Sequence, residues 1–253
     1  MFQAIGAAYG VGTLLVWAAF VTLLIVPTAV IPRGRREKYA IFGARVFGWL
    51  CIHVTCFAQV TVLGRENLPK KPGYLVIANH RSWVDVGLII LHTVSQGISK
   101  KEIAYVPFFG LNGYLSGVIF FNRANKMERG RVVEEALFLL RSGANLHVFP
   151  EGTRTRDGRL REKVSLRLIQ ACADAGIPVV PACVWGTDLA VPANGFRLRW
   201  RQPMGLEMAP PLNPATFASS EDFARATWDV VRGMAASHGA DQVIGGTRAA
   251  EKG

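Results

Sequence analysis

The sequence predicts an α/β fold: a mixed, mostly buried sheet flanked by helices, preceded by an N-terminal two-helix membrane element. Three observations carry this prediction. Strand-like and helix-like segments alternate from residue 59 onward without an internal repeat or low-complexity linker. Strand-like runs such as Val179 to Trp185 are continuously apolar, which requires cover on both faces. From Met1 to Pro32 no side chain is charged. The resulting regions are a membrane-attached helical pair over 1–58, one α/β domain over 59–238 and a frayed tail over 239–253.

The N-terminal run from Ala4 to Val26 is about 23 nearly continuous apolar residues, which at ~1.5 Å per residue is long enough to cross a bilayer's hydrocarbon layer. Arg33, Arg35, Arg36 and Lys38 follow this run rather than precede it. That order argues against a cleaved signal and places the cations on the cytoplasmic side. Tyr39 to Ala58 is apolar but interrupted by Arg45 and His53, and it carries Phe47 and Trp49, which suits a helix lying at an interface.

Gln59 to Leu63 and Tyr74 to Ala78 read as strands around a turn-rich stretch. Ser82 to His92 reads as a helix opened by a serine cap. Val118 to Phe121 is a short buried strand, and Lys126 to Arg141 carries a helical stripe of Val132, Val133, Ala136, Leu137 and Leu140 that stops at Gly143. Asn145 to Phe149 returns as a strand. Glu162 to Ala175 is a helix ended by Gly176, Val179 to Trp185 a strand, and Phe196 to Trp200 an edge. Ser219-Ser220-Glu221-Asp222 resembles a capping box opening a helix through about Ala236.

The net charge of +11 is spread along the 253 residues, so the chain favours anionic surfaces such as lipid headgroups and phosphorylated substrates. No nucleic-acid module or basic stripe interleaved with aromatics is present, which excludes nucleic acid as the expected partner. Cys51, Cys56, Cys172 and Cys183 have no metal-site spacing and read as small buried or lipid-facing residues in a reducing compartment, so no metal is expected.

Chemistry concentrates at strand ends. His80 and Asp85, in Asn79-His80-Arg81-Ser82-Trp83-Val84-Asp85, follow an apolar strand. An imidazole that takes a proton from a hydroxyl works best when a carboxylate fixes its tautomer and stabilises the imidazolium. Gly117 to Phe121 delivers Arg123 after Asn122. Phe149-Pro150-Glu151-Gly152-Thr153-Arg154 turns through Pro and Gly and projects a carboxylate, a hydroxyl and a guanidinium; Gly152 permits close backbone approach and Arg154 can fork onto phosphate. Ser82 and Ser116 are not in G-x-S-x-G, which disfavours a serine hydrolase.

These blocks, together with Ile177-Pro178-Val179-Val180-Pro181, stand in the order of the glycerophospholipid acyltransferases of the lysophosphatidic acid acyltransferase type, and the chain resembles that family over roughly Val60 to Thr187. The resemblance implies acyl transfer from acyl-CoA or acyl-carrier protein to a lysolipid hydroxyl at a membrane, most simply lysophosphatidic acid to phosphatidic acid, with no cofactor, metal or covalent enzyme intermediate. It implies that His80 is the base and Asp85 its orienter. It further implies that Arg123, Glu151, Gly152, Thr153 and Arg154 hold the acceptor headgroup and that the strand at Pro178 shapes the site. Asn122 replaces a common acidic residue, Thr155 a frequent serine, and Arg161 to Ser165 occupies the place of a basic-glycine element. Those departures keep open a different lysolipid, such as a lyso-aminolipid. A non-catalytic membrane-surface binding protein on the same scaffold is the alternative from another class.

Overall fold

A computed structural model describes residues 2–155, 159–193 and 198–240. In chain order its elements are α1 (Phe2–Ile25), α2 (Arg36–Trp49, continuing as a π-helix over Leu50–Thr55), β1 (Gln59–Leu63), β2 (Leu75–Ala78) and α3 (Val84–Thr93). Then come β3 (Gln96–Lys100), α4 (Phe109–Leu115), β4 (Ile119–Phe121), α5 (Lys126–Arg141), β5 (Leu146–Val148) and α6 (Arg167–Asp174). The chain continues through β6 (Val179–Trp185), the short α7 (Thr187–Ala190), β7 (Pro203–Met208) and α8 (Ser220–Ser237).

The strands form one seven-stranded sheet in the order β1-β7-β6-β2-β5-β3-β4. All neighbours are parallel except β6 and β7, so β1 and β7 run against the other five strands. The mixed, buried sheet expected from the sequence is what forms. Alternation along the central strands divides the core into two layers. Val76, Ala78, Val180 and Ala182 pack with Leu88, Ile89 and Ile52 on one face, whereas Leu75, Ile77 and Val179 pack with Ala136, Ile169 and Phe223 on the other. Each fully buried Leu or Ile here contributes roughly 1.5–3 kcal/mol of apolar burial.

Local chemistry explains most boundaries. Asn125 caps α5 by accepting from the amides of Met127 and Glu128, and Gly143, at φ 88°, closes it. Ser219 accepts from the Asp222 amide at 3.1 Å and donates to the Asp222 carboxylate, the predicted start of α8. Three expectations shift. The Ser82 hydroxyl donates to the Val191 carbonyl at 2.7 Å, and α3 begins only at Val84. The helix expected from Glu162 begins at Arg167, because the Arg161 and Ser165 amides are drawn to Glu151 and the Pro150 carbonyl. Leu198 to Trp200 is not a strand, and β7 occupies the place beside β6; Phe196 lies outside the described residues, as does the tail beyond Ala240.

One helical stretch among the described residues, Ala8–Val30, is long and apolar enough to cross a membrane, so the candidate span of the two-helix element lies in its first helix. Helix α1 also packs along the continuation of α2 and along the α/β domain. Trp17 Nε1 donates to Thr55 Oγ1 at 3.0 Å, Thr22 Oγ1 donates to Asn112 Oδ1 at 2.9 Å, and Tyr9 meets Trp200 edge to face. Helix α2 crosses α3 at Gly48 and Gly87, where a methyl on Gly48 would stand 2.8 Å from the Gly87 carbonyl oxygen.

Candidate active site

Because β2, β5 and β4 are parallel, His80, Glu151 and Arg123 emerge at the same carboxyl edge of the sheet, the usual place for a ligand crevice in an open α/β fold. The Asn79 side chain prolongs the sheet by pairing with both the amide and the carbonyl of Val184, at 2.8 and 2.9 Å. The next residue is held on both sides of its backbone. The His80 amide donates to Glu151 Oε1 at 2.9 Å, and the His80 carbonyl accepts from the Thr155 amide at 2.9 Å. Its ring stacks on Phe149 with centroids 3.9 Å apart and planes 13° from parallel.

Asp85 lies in the first turn of α3 with its side chain fully buried, while the His80 side chain keeps 15% exposure. His80 Nδ1 donates to Asp85 Oδ2 at 2.8 Å. The same oxygen accepts from the amides of Arg81 and Ser82 at 2.6 and 2.7 Å, and Oδ1 accepts from the Thr187 hydroxyl. Four donors thus fix the carboxylate. With Nδ1 carrying the proton, Nε2 is left with a lone pair. The arrangement can take a proton from a neighbouring hydroxyl.

A second buried pair stands behind it. Arg81 forks onto Asp188 through Nε at 2.8 Å and Nη2 at 3.0 Å, and Nη1 donates to the Ala240 carbonyl. Burial opposes charge on Arg81, but the Asp188 carboxylate outweighs it and raises the guanidinium pKa.

The structure gathers most of the predicted site residues, with two changes. Burial pushes the Glu151 carboxyl up to about 7 against the pull of the His80 and Arg161 amides. Those amides donate to both carboxylate oxygens, so Glu151 braces the His80 loop. Pro178 is the clearer correction. It precedes β6, its carbonyl accepts from the Leu75 amide, and Ala78 pairs with Ala182, so Pro178 sits at the amino edge of the sheet. At ~3.3 Å per residue, it is roughly 20 Å along the strand from Val184, where the site lies.

Arg123 packs its guanidinium against Gly152: a methyl there would come 3.3 Å from Nη1. Burial lowers the Arg123 pKa and Glu102 partly offsets it. Arg154 stacks over Trp83 at 4.4 Å, and Thr153 lies half-buried between Gly152 and Arg154. Gly152 adopts φ 70°, the left-handed turn for which glycine is suited. Residues that sequence reasoning passed over complete the arrangement: Asn79, Arg81, Thr187 and Asp188. For Thr187 and Asp188 the one available signal was the Gly186 turn that ends β6, whereas Asn79 and Arg81 flank His80 in its own block. Among the described residues no group of three or more His, Cys, Asp or Glu is placed to hold a metal ion.

The only hydroxyl within the His80–Asp85 loop, that of Ser82, is committed to a carbonyl, so the loop sets an imidazole rather than a serine at the crevice. This defines an α/β protein with a histidine–aspartate pair at the carboxyl edge of its sheet. The model of the Acyltransferase family matches residues 59–185, half of the chain, and the chain belongs to that family. It is 30% identical over 177 residues to a 1-acyl-sn-glycerol-3-phosphate acyltransferase of Chlamydomonas reinhardtii, covering 69% of this chain and 53% of that one. It is 36% identical over 140 residues to the corresponding Saccharomyces cerevisiae protein, covering 53% and 45%. The crystal structure of the 1-acyl-sn-glycerophosphate acyltransferase of Thermotoga maritima superposes with a TM-score of 0.78 at 26% identity, over 93% of this chain and 95% of that one. The chain spans about half the length of the two curated relatives above.

Proposed function

We propose that this protein moves a fatty acyl group from a thioester, acyl-CoA or acyl-carrier protein, to the free hydroxyl of lysophosphatidic acid, giving phosphatidic acid. It does so at a membrane, with the α/β domain on the cytoplasmic face. The observation that carries this reading is the His80–Asp85 pair standing at one sheet edge with Arg123 and Arg154. The relatives' names support the acceptor and the reaction.

In this mechanism Asp85 holds the Nδ1 proton and His80 Nε2 removes the acceptor's hydroxyl proton as its oxygen attacks the thioester carbonyl carbon. The tetrahedral intermediate collapses, the carbon–sulfur bond breaks, and the thiolate takes the proton back from the imidazolium. Arg123 and Arg154 hold the phosphate, with Gly152 leaving room for the Arg123 guanidinium and Thr153 adding a hydroxyl donor. The test is thiol release from acyl-CoA by detergent-purified protein, with and without acceptor. A panel of lysolipids includes lysophosphatidic acid and a lyso-aminolipid. Release only with a phosphate-free acceptor would move the reading to that lipid. Binding of lysolipid with no thiol release under any acceptor, with either acyl-CoA or acyl-carrier protein as donor, would leave a surface-binding protein.

Two expected outcomes arise from this site. Arg123→Lys and Arg154→Lys should each raise the acceptor KM by about tenfold with donor KM unchanged, because a point charge cannot reproduce the guanidinium fork. Steady-state kinetics with each substrate varied in turn checks this. Thr187→Val removes the donor on Asp85 Oδ1, and a hydrogen bond to a charged group contributes about 1.5–3 kcal/mol, so kcat should fall ~10- to 100-fold with acceptor KM held. Thr187→Ser, which keeps the hydroxyl, should restore turnover.

A further inference from the structure

Between β3 and β4 the chain presents a tight apolar projection that the proposed chemistry does not use. Tyr105, Val106, Pro107 and Phe108 are consecutive and exposed, Tyr105 at 74%, and Leu111 and Tyr114 follow on the outer side of α4. The inner side of α4 is committed: Asn112 bonds to Thr22 and to the Ala18 carbonyl of α1, Ser116 to the Ala40 carbonyl of α2, and Phe109 meets Phe47 edge to face. The outer residues are therefore not waiting for a core of their own chain.

The projection is built to hold its shape. The Val106 amide donates to the Ile103 carbonyl, Gly110 to Val106 and Asn112 to Phe108, all within 3.1 Å. A methyl on Gly110 would overlap the Ala104 carbonyl oxygen, so this turn closes only with glycine there. Phe108 is held at φ 64°, a conformation that costs a bulky residue on the order of 1–3 kcal/mol. Contiguous exposed apolar surface of this kind marks an interaction site.

Charge and continuity identify the partner. Lys100 and Lys101 lie at the base of the projection. Arg33 and Arg36 flank Tyr114, with guanidinium carbons 5.7 and 5.3 Å from its ring centre; Arg33 is exposed and donates to the Tyr114 hydroxyl, whereas Arg36 is buried beside Glu37. Where α4 docks, α1 also exposes Phe20, Leu23 and Leu24. Apolar and aromatic groups ringed by Lys and Arg, continuous with a long apolar helix, match the boundary layer of an anionic bilayer. We infer that Tyr105 to Tyr114 inserts into the headgroup–acyl boundary of an anionic bilayer beside α1. β4, whose end delivers Arg123, follows the projection directly in the chain, so insertion would bring the strand of the headgroup site to the bilayer. The inference extends the proposed reading by naming the surface that delivers the acceptor.

All four cysteines are buried, so an introduced one can be labelled alone. Tyr105→Cys carrying a polarity-sensitive thiol dye is compared with Phe138→Cys, 71% exposed on α5 across the sheet. Vesicles are an equal mixture of phosphatidylcholine and phosphatidylglycerol, without donor or acceptor. The expected result is a blue shift and roughly twofold or greater quenching by bromine-labelled lipid at position 105 and neither at 138. The triple variant Tyr105→Ser, Phe108→Ser, Leu111→Ser should bind these vesicles about tenfold or more weakly, with unchanged thermal unfolding. Cosedimentation with an unshifted label at 105 would overturn the inference. A blue shift without vesicles, accompanied by a dimer in light scattering, would do the same by assigning the surface to a second copy. No catalysis enters the assay, so its failure and a failure of acyl transfer are separable.

Discussion

Replacing His80 by alanine should lower acyl transfer by about 10²-fold or more, the usual contribution of a positioned general base. The fold should survive the change. The bonds that hold residue 80 to Glu151 and Thr155 use its backbone, and Asp85 keeps the Arg81, Ser82 and Thr187 donors. Thiol release from acyl-CoA, followed beside circular dichroism and thermal unfolding, separates lost chemistry from lost structure. Turnover near that of the unmodified protein in a well-folded His80→Ala variant would remove the base from this histidine.

The second large effect is on stability. Asp188→Ala would take from the buried Arg81 guanidinium the carboxylate it forks onto, and breaking a buried pair from one side costs about 3–5 kcal/mol. For a chain of this size that corresponds to a Tm loss on the order of 10 °C. The two residues flank the site from consecutive positions: Arg81 follows His80 and Asp188 follows Thr187. Activity should therefore fall with stability. Replacing both partners, Arg81→Met with Asp188→Leu, removes the buried guanidinium together with its carboxylate and should recover most of the Tm. A Tm unchanged in Asp188→Ala would show that the pair contributes nothing to the fold.

How much was legible follows from which interactions are local. Strands β1 and β6 and helix α5 have their predicted bounds, because apolar runs and stripes with clear stop signals are properties of a short window. Strand β3, Gln96-Gly97-Ile98-Ser99-Lys100, carries no alternation to read. β7 opens on Pro203 and contains Gly205, and α4 contains Gly110 and Gly113, so each contradicts its own propensity and is fixed by its neighbours. The histidine–aspartate pair was readable because one turn of chain joins its members. Thr187 and Asp188 reach the same site only because β2 pairs with β6, about a hundred residues away, and no spacing rule carries that information. Pro178 failed for the same reason in reverse: it belongs to the right strand, but strand direction puts it at the wrong end.

The bond between Thr22 and Asn112 joins the long N-terminal helix to α4, the helix that leads into β4. An anchor attached by a flexible leash lets its cargo tumble and sample many heights above a surface. Here the helix is bonded directly to its cargo, through Thr22 to Asn112 and Tyr9 on Trp200, so on a bilayer those contacts tie the tilt and altitude of His80 to the way the helix lands. The encounter with a lipid then becomes a search in two dimensions, confined to the leaflet on which the protein stands.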